Sequence, residues 1–251
     1  MNAILQVRGA TRRFGGLTAV DNVSFDVPER GVTAVIGPNG AGKTTLFNLI
    51  AGSMPPSEGE IILLGSNVTN LRTETRAGLG LVRTFQLVKL FQDLTALENV
   101  KVGFHLRTKG GLFAALLRPG WQRQSEREVE EKAKALLDLV GLSSVADSPA
   151  ATLPYGQQRL LEIARAMAAR PRVLLLDEPA AGLNAEESER LAETVRMIAS
   201  DGIAVLLIEH DMKLVMDIAD EVVVLDYGRK IAQGTPEAVR RDPAVIAAYL
   251  G

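Results

Sequence analysis

The sequence has no cysteine and only two histidines. Without thiols, disulfides and thiolate-held metals are excluded, and two imidazoles are too few for a clustered zinc centre. Charge of one sign is lacking as well: 28 Lys and Arg stand against 30 Asp and Glu, for a formal net charge of -2. Such a chain has no bulk attraction for nucleic acid or an anionic lipid surface, so no nucleic-acid partner is expected and any anion must be held locally. Long hydrophobic runs are missing too. VLLL and AVLLI have the length of buried strands, and nowhere do about 18 apolar residues follow one another. The opening MNAILQVRGATRRFGG is interrupted by Arg8, Arg12 and Arg13 and does not read as a secretory signal. The expectation is a chain kept inside the cell, with any membrane crossing left to another chain.

What is present is 251 residues, 47% of them apolar, enough for one sizeable core near the upper end for a single α/β domain. The runs VTAVIG, VLLLD, AVLLIE and EVVVLD alternate with helical patterns, as expected of a mostly parallel sheet covered on both faces. The earlier segments ILQVRGATRRF, VSFDVPE and EIILLG read as short strands of an antiparallel flap. Residues 87–158 break the rhythm and read as a helical lobe, inserted between core segments 1–86 and 159–235. Within it SERE at 125–128 has capping-box form, followed at helical spacing by Val129, Ala133, Leu136, Leu137 and Val140 and by a stop at Gly141. The stretch from His105 to Arg123 reads as a helical hairpin on that lobe, Trp121 included, in preference to a membrane-surface segment. Thr235-Pro236 and Asp242-Pro243 each place a cap before a first-turn proline, predicting two short tail helices in 236–251.

GPNGAGKTT at 37–45 fits the phosphate-loop pattern, between an apolar strand and a helix. In the loop of Gly37, Pro38, Asn39, Gly40, Ala41 and Gly42, the glycines at 40 and 42 let the backbone adopt turns in which successive N–H groups converge on phosphate oxygens, and the following helix adds its positive end. Lys43 supplies a point charge for the β- and γ-phosphates, and the hydroxyl of Thr44, followed by Thr45, is placed to ligate Mg²⁺. VLLLDEP at 173–179 ends a buried strand in two carboxylates: Asp177 for the Mg²⁺, through water, and Glu178 to orient and deprotonate the attacking water. His210 follows another strand of the same set and is expected on the same sheet edge, in polar contact with the γ-phosphate and water.

A second glycine-bearing helix start, LPYGQQ at 153–158, leads into RLLEIARAMAAR. Together with GPNGAGKTT, RTFQ ending at Gln86, VLLLDEP, AGLN ending at Asn184 and LIEHD around His210, in this order, it gives a chain that resembles the ABC transporter ATP-binding subunits over essentially its whole length. The resemblance implies a P-loop NTPase fold with an antiparallel β subdomain and an inserted helical subdomain. It also implies ATP and Mg²⁺ as ligands and a head-to-tail pair of ATPase chains, in which each signature segment faces its neighbour's nucleotide. By that resemblance Tyr155, Gly156 and Gln157 touch the partner's ATP, Phe14 stacks on adenine, and Gln86 touches Mg²⁺ and senses the membrane subunit. Two departures stand out: Pro154 replaces the usual serine of the signature, and Asn184 replaces the usual Asp of the loop linking the two sites.

GLGLVRTFQLVKLFQDLTALENV, the 105–123 insertion, IEHDMKLVMDIADEVVVLDYGRKIAQGTPEAV and the closing AAYLG are similar to the ATP-binding subunit of bacterial branched-chain amino acid importers. This implies a peripheral protein on the cytoplasmic face of the inner membrane. Its partners would be two transmembrane permease subunits, a second ATPase subunit, related or identical, and, indirectly, a periplasmic solute-binding protein. The ATPase of a lipopolysaccharide exporter, or a soluble ABC protein of another process, are the competing readings.

Overall fold

The computed structural model describes residues 3–84, 89–105 and 119–250. They divide into two compact units, Met1–Gln86 with Arg172–Gly251, and Leu87–Pro171. The first unit contains two sheets. In the antiparallel one, β1 (Ala3–Phe14) pairs with β2 (Leu17–Pro28) on one side and β4 (Glu58–Leu63) on the other, and β5 (Ser66–Asn67) adds to β4. The expected flap is therefore present, with its first two strands running longer than their apolar segments because register shifts let the ladder continue past interruptions.

The second sheet has the order β10-β9-β3-β8-β7-β6, with β3 at Gly31–Ile36, β6 at Leu81–Arg83, β7 at Val173–Asp177, β8 at Ala204–Ile208, β9 at Glu221–Asp226 and β10 at Arg229–Gly234. All pairings are parallel except that of β10 with β9. Every residue of β7 and β8 is buried. That is why these strands read as unbroken aliphatic runs, since both faces are covered. Between β3 and β4 lies α1 (Lys43–Ala51), whose Leu46, Phe47, Leu49 and Ile50 join one apolar core with Val35, Leu175, Leu206 and Val223. Two further helices cover this unit, α6 (Ala185–Ser200) and α7 (Met212–Ile218).

A short helix, α2 (Thr73–Gly78), carries Arg76 beneath the end of α1. The fully buried guanidinium donates to the carbonyls of Leu49 and Ile50 at 2.7 and 2.6 Å, and to those of Leu71 and Thr69. A cation is well placed among the orphan carbonyls of a helix C-terminus. Burial pushes the Arg76 pKa down to about 10.

The second unit holds α3 (Ala96–His105), α4 (Pro119–Leu139) and α5 (Tyr155–Ala168). Gly103 lets α3 lie close to α5: a Cβ there would sit 2.3 Å from the Arg165 carbonyl. The helical face expected on α4 is present, with Ala133, Leu137 and Val140 buried and Gly141 left-handed at φ 71°. Two expectations are corrected. Positions 125–128 lie inside α4, which starts at Pro119, so they do not begin the helix; reciprocal capping bonds occur instead at Thr95 and Glu98, ahead of α3. The helical unit also runs to Pro171, past 158, because α5 is continuous and packs with α3 and α4. Most of the expected hairpin at 105–123 lies outside the described residues. Both tail helices are present, α8 (Pro236–Arg240) and α9 (Pro243–Leu250), with Thr235 capping Ala238 and Asp242 capping Ala244. Among the described residues no helix is long and apolar enough to cross a membrane.

Candidate active site

Parallel pairing fixes where the candidate residues emerge. Val35 of β3 is level with Ile208 of β8, and Ile208 with Asp177 of β7. The loop from Gly37, the pair Asp177-Glu178 and the pair Glu209-His210 thus leave the sheet together, at the carboxyl ends of three neighbouring strands, where open α/β sheets bind ligands.

The loop after β3 is built for close approach. Gly42 has φ 93°, and a Cβ there would sit 2.3 Å from the Ala19 carbonyl, so both conformation and space demand glycine. Because Gly42 is the N-cap of α1 and no side chain caps it, with no acidic residue in the first turn, the helix start keeps its N–H groups and positive end for an external anion. Asn39 and Gly40 are exposed on the loop, Pro38 and Thr45 are partly buried, Ala41 is buried and Thr44 is exposed. The amine of Lys43 donates to the carbonyls of Gly37 at 2.8 Å and Pro38 at 2.9 Å. Burial lowers its pKa, against an opposing pull from Glu178, which places that carboxylate within electrostatic reach of the loop lysine.

Asp177 is buried, 1% exposed. Its Oδ2 accepts from Arg83 Nη2 at 2.5 Å, whereas Oδ1 is buried with no hydrogen-bond partner among the described residues. An orphaned carboxylate oxygen and the exposed Thr44 hydroxyl are hard oxygen donors that fit a hydrated divalent cation such as Mg²⁺. Glu178 lies just past the strand in a left-handed conformation, φ 45°, held by its N–H to the Ile208 carbonyl at 3.1 Å. A non-glycine residue there costs about 1–3 kcal/mol, a strain found where surrounding structure over-determines a functional residue.

His210 follows β8 on the expected edge, its ring mostly exposed, with Nδ1 3.8 Å from Glu209 Oε2. Sequence reasoning had assigned Glu209 no role. It is fully buried, and its carboxylate accepts from the N–H of Ala180 at 2.8 Å, His210 at 3.0 Å and Asp211 at 3.3 Å. One side chain therefore ties the loop after β7 to the loop after β8. Its burial raises the carboxyl pKa, partly offset by those three N–H groups. The signal was an acidic residue directly after five apolar ones.

Phe14 ends β1 with its ring 44% exposed and the Arg12 guanidinium 4.8 Å over the centroid. Gln86 lies outside the described residues. Asn184 caps α6 in a reciprocal box with Glu187, each bonding the other's backbone N–H at 3.0 Å; an amide oxygen serves this purpose as an Asp carboxylate would. From the tail, burial raises the Tyr249 phenol pKa, against an opposing pull from the Gly37 backbone.

The signature segment belongs to the second unit. Pro154 is the N-cap of α5 with no side-chain cap, and Tyr155, which begins the helix, is exposed. Gly156 is buried, and Gln157 Oε1 is buried with no hydrogen-bond partner among the described residues. Beneath them Arg159 and Glu162, each 1% exposed, pair at 3.2 Å. The helix start thus rests on a buried charged pair and offers first-turn N–H groups that have no intrahelical acceptor.

The family described as ABC transporter matches residues 20–181, and that described as branched-chain amino acid ATP-binding cassette transporter matches residues 229–251. The chain is 50% identical over 249 residues to the high-affinity branched-chain amino acid transport ATP-binding protein BraF of Pseudomonas aeruginosa, covering 99% of this chain and 98% of that protein. Among solved structures it is similar to the ADP conformation of an ATP-binding cassette of an ABC transporter, with 32% identity, a TM-score of 0.87 and full coverage of both chains. It is also similar to a dimeric post-hydrolysis cassette bound to ADP and Pi, with 25% identity, a TM-score of 0.76 and coverage of 92% and 98%. With phosphate loop, acidic strand end and signature helix in place and these likenesses spanning the whole chain, the protein belongs to the ABC transporter family, as one of its ATP-hydrolysing cassettes.

Proposed function

We propose that this chain powers the import of branched-chain amino acids, two ATPase chains closing head to tail around two ATP molecules at the cytoplasmic face of the inner membrane. The observation that carries the reading is likeness over the whole length to a branched-chain amino acid transport ATP-binding protein, including the 229–251 tail that lies outside the generic cassette match. Each ATP is held by the loop of one chain and completed by Tyr155, Gly156 and Gln157 of the other. The related dimeric cassette bound to ADP and Pi supports such pairing.

In the site, Lys43 exchanges its bonds to the Gly37 and Pro38 carbonyls for phosphate oxygens, and the loop and α1 N–H groups take the remaining charge. Mg²⁺, when bound, neutralises phosphate charge, and Thr44, Asp177 and Gln86 would hold it. Glu178 orients the attacking water and takes its proton as the water oxygen bonds the γ-phosphorus and the bond to the bridging oxygen breaks, giving ADP and phosphate. His210 contributes a polar contact to the γ-phosphate and water, and Phe14 stacks on the adenine. The helical lobe near Gln86 to Val102 passes movement to the permease helices.

Reconstitution with the co-purifying membrane subunits and solute-binding protein tests this reading. Leucine, isoleucine or valine is expected to stimulate ATP turnover. Stimulation by an unrelated solute, with none by these three, contradicts it.

A further inference from the structure

Arg83 is the one strand residue of β6 with a long charged side chain, and its guanidinium is engaged at both ends: Nη2 donates to Asp177 Oδ2 at 2.5 Å and Nη1 to Asn48 Oδ1 at 2.7 Å. Its side chain is 16% exposed and that of Asp177 1%, so the ion pair is largely removed from solvent. Asn48 lies one helical turn after Thr44 on α1, hence on the same face as the hydroxyl assigned to the metal. The guanidinium also lies 5.9 Å over the Phe47 ring. Arg83 therefore joins three elements around the metal position: the phosphate-loop helix, the strand bearing Asp177, and the strand leading to Gln86.

We infer that Arg83 is a resident counter-ion for the metal-binding carboxylate, a positioning residue that sets how much Mg²⁺ the site requires. The inference rests on the reading of Asp177 as a metal-site residue. A carboxylate this deeply buried is strongly destabilising when it has no partner. Arg83 balances its charge in the metal-free chain and takes Oδ2, which leaves Oδ1 as the oxygen directed to a hydrated cation. The bond to Asn48 holds the guanidinium in place when metal arrives, so two cations then share one carboxylate. Like charges in a site of low dielectric oppose each other. Metal affinity is thereby reduced, and the metal-free chain is kept stable.

The test is the affinity of the purified chain for a fluorescent ATP analogue, measured in EDTA and across a Mg²⁺ titration. Arg83→Gln keeps an amide donor for Asp177 and removes the charge; Arg83→Lys keeps the charge and loses the two-ended bond. For Arg83→Gln the half-saturating Mg²⁺ concentration is expected to fall by about tenfold, and the thermal midpoint in EDTA to fall. Arg83→Lys is expected to stay within about threefold of the parent in the Mg²⁺ titration, as charge governs the effect. A purely structural role would move both variants alike. An unchanged or raised midpoint for Arg83→Gln, or equal shifts in both variants, overturns the inference. No Mg²⁺ effect on the parent's nucleotide affinity overturns the metal reading of Asp177 with it.

Discussion

The carboxyl edge of the parallel sheet and the start of α5 both present N–H groups to an anion, yet they are constructed differently. At the sheet edge the backbone is over-determined. Gly42 has no room for a side chain, Glu178 is held left-handed, and buried Glu209 locks two loops together. At the helix start the backbone is ordinary: Pro154 is extended, Tyr155 is exposed and no side chain caps the helix. Preorganisation of the backbone is concentrated at the sheet edge, the proposed place of chemistry, while the signature offers a plain helix terminus on a buried Arg159-Glu162 base. On the proposed reading the first region grips a nucleotide and the second completes the site of another chain.

The sharpest way to break this contrast is at Glu178. Glu178→Gln preserves shape and removes the proton acceptor, so ATP turnover is expected to fall by at least about 100-fold, the usual worth of general base catalysis, with nucleotide affinity kept. Near-normal steady-state turnover would remove Glu178 from the role of base.

Glu209→Gln probes the lock between the loops. An amide replaces one of the two acceptor oxygens facing three N–H donors, which is expected to cost about 1–3 kcal/mol in denaturant unfolding at neutral pH. The pH dependence has a defined sign. The folded carboxyl pKa is raised above its ordinary value by burial, so between the two values the native state binds more protons than the unfolded one. Stability from this group is greatest below the ordinary carboxylate pKa and declines as pH rises through the folded value. The parent's advantage over Glu209→Gln should therefore shrink with rising pH across that window; an advantage that grows would contradict the assignment.

The smallest effect is expected at the second region. Pro154→Ser restores a hydroxyl and an N–H at the α5 cap and is expected to tighten ATP-dependent pairing by a few-fold, about 0.5–1 kcal/mol for a regained cap and contact. Pairing by sedimentation that is unchanged would show that the missing serine does not weaken closure in this chain.

Much of this was legible in the sequence, for physical reasons. Strands β3, β7, β8 and β9 are buried on both faces and so appear as aliphatic runs, and the phosphate loop announces itself because its glycine positions are sterically forced. The three-residue β6 carries no periodicity to read, and Arg83 on it has meaning only once Asn48 and Asp177, far apart in sequence, converge. Arg76 was hidden for the same reason, as its acceptors are backbone carbonyls. The capping box at Thr95 and the SERE segment are equivalent patterns in sequence, and only the course of α4 separates them.

Dilution of the purified chain decides whether each ATP is gripped by one chain and completed by another. ATP turnover per chain, followed from high to low protein concentration at saturating nucleotide, is predicted to fall as pairs separate. Turnover per chain that stays constant down to concentrations where sedimentation shows only monomers would contradict it.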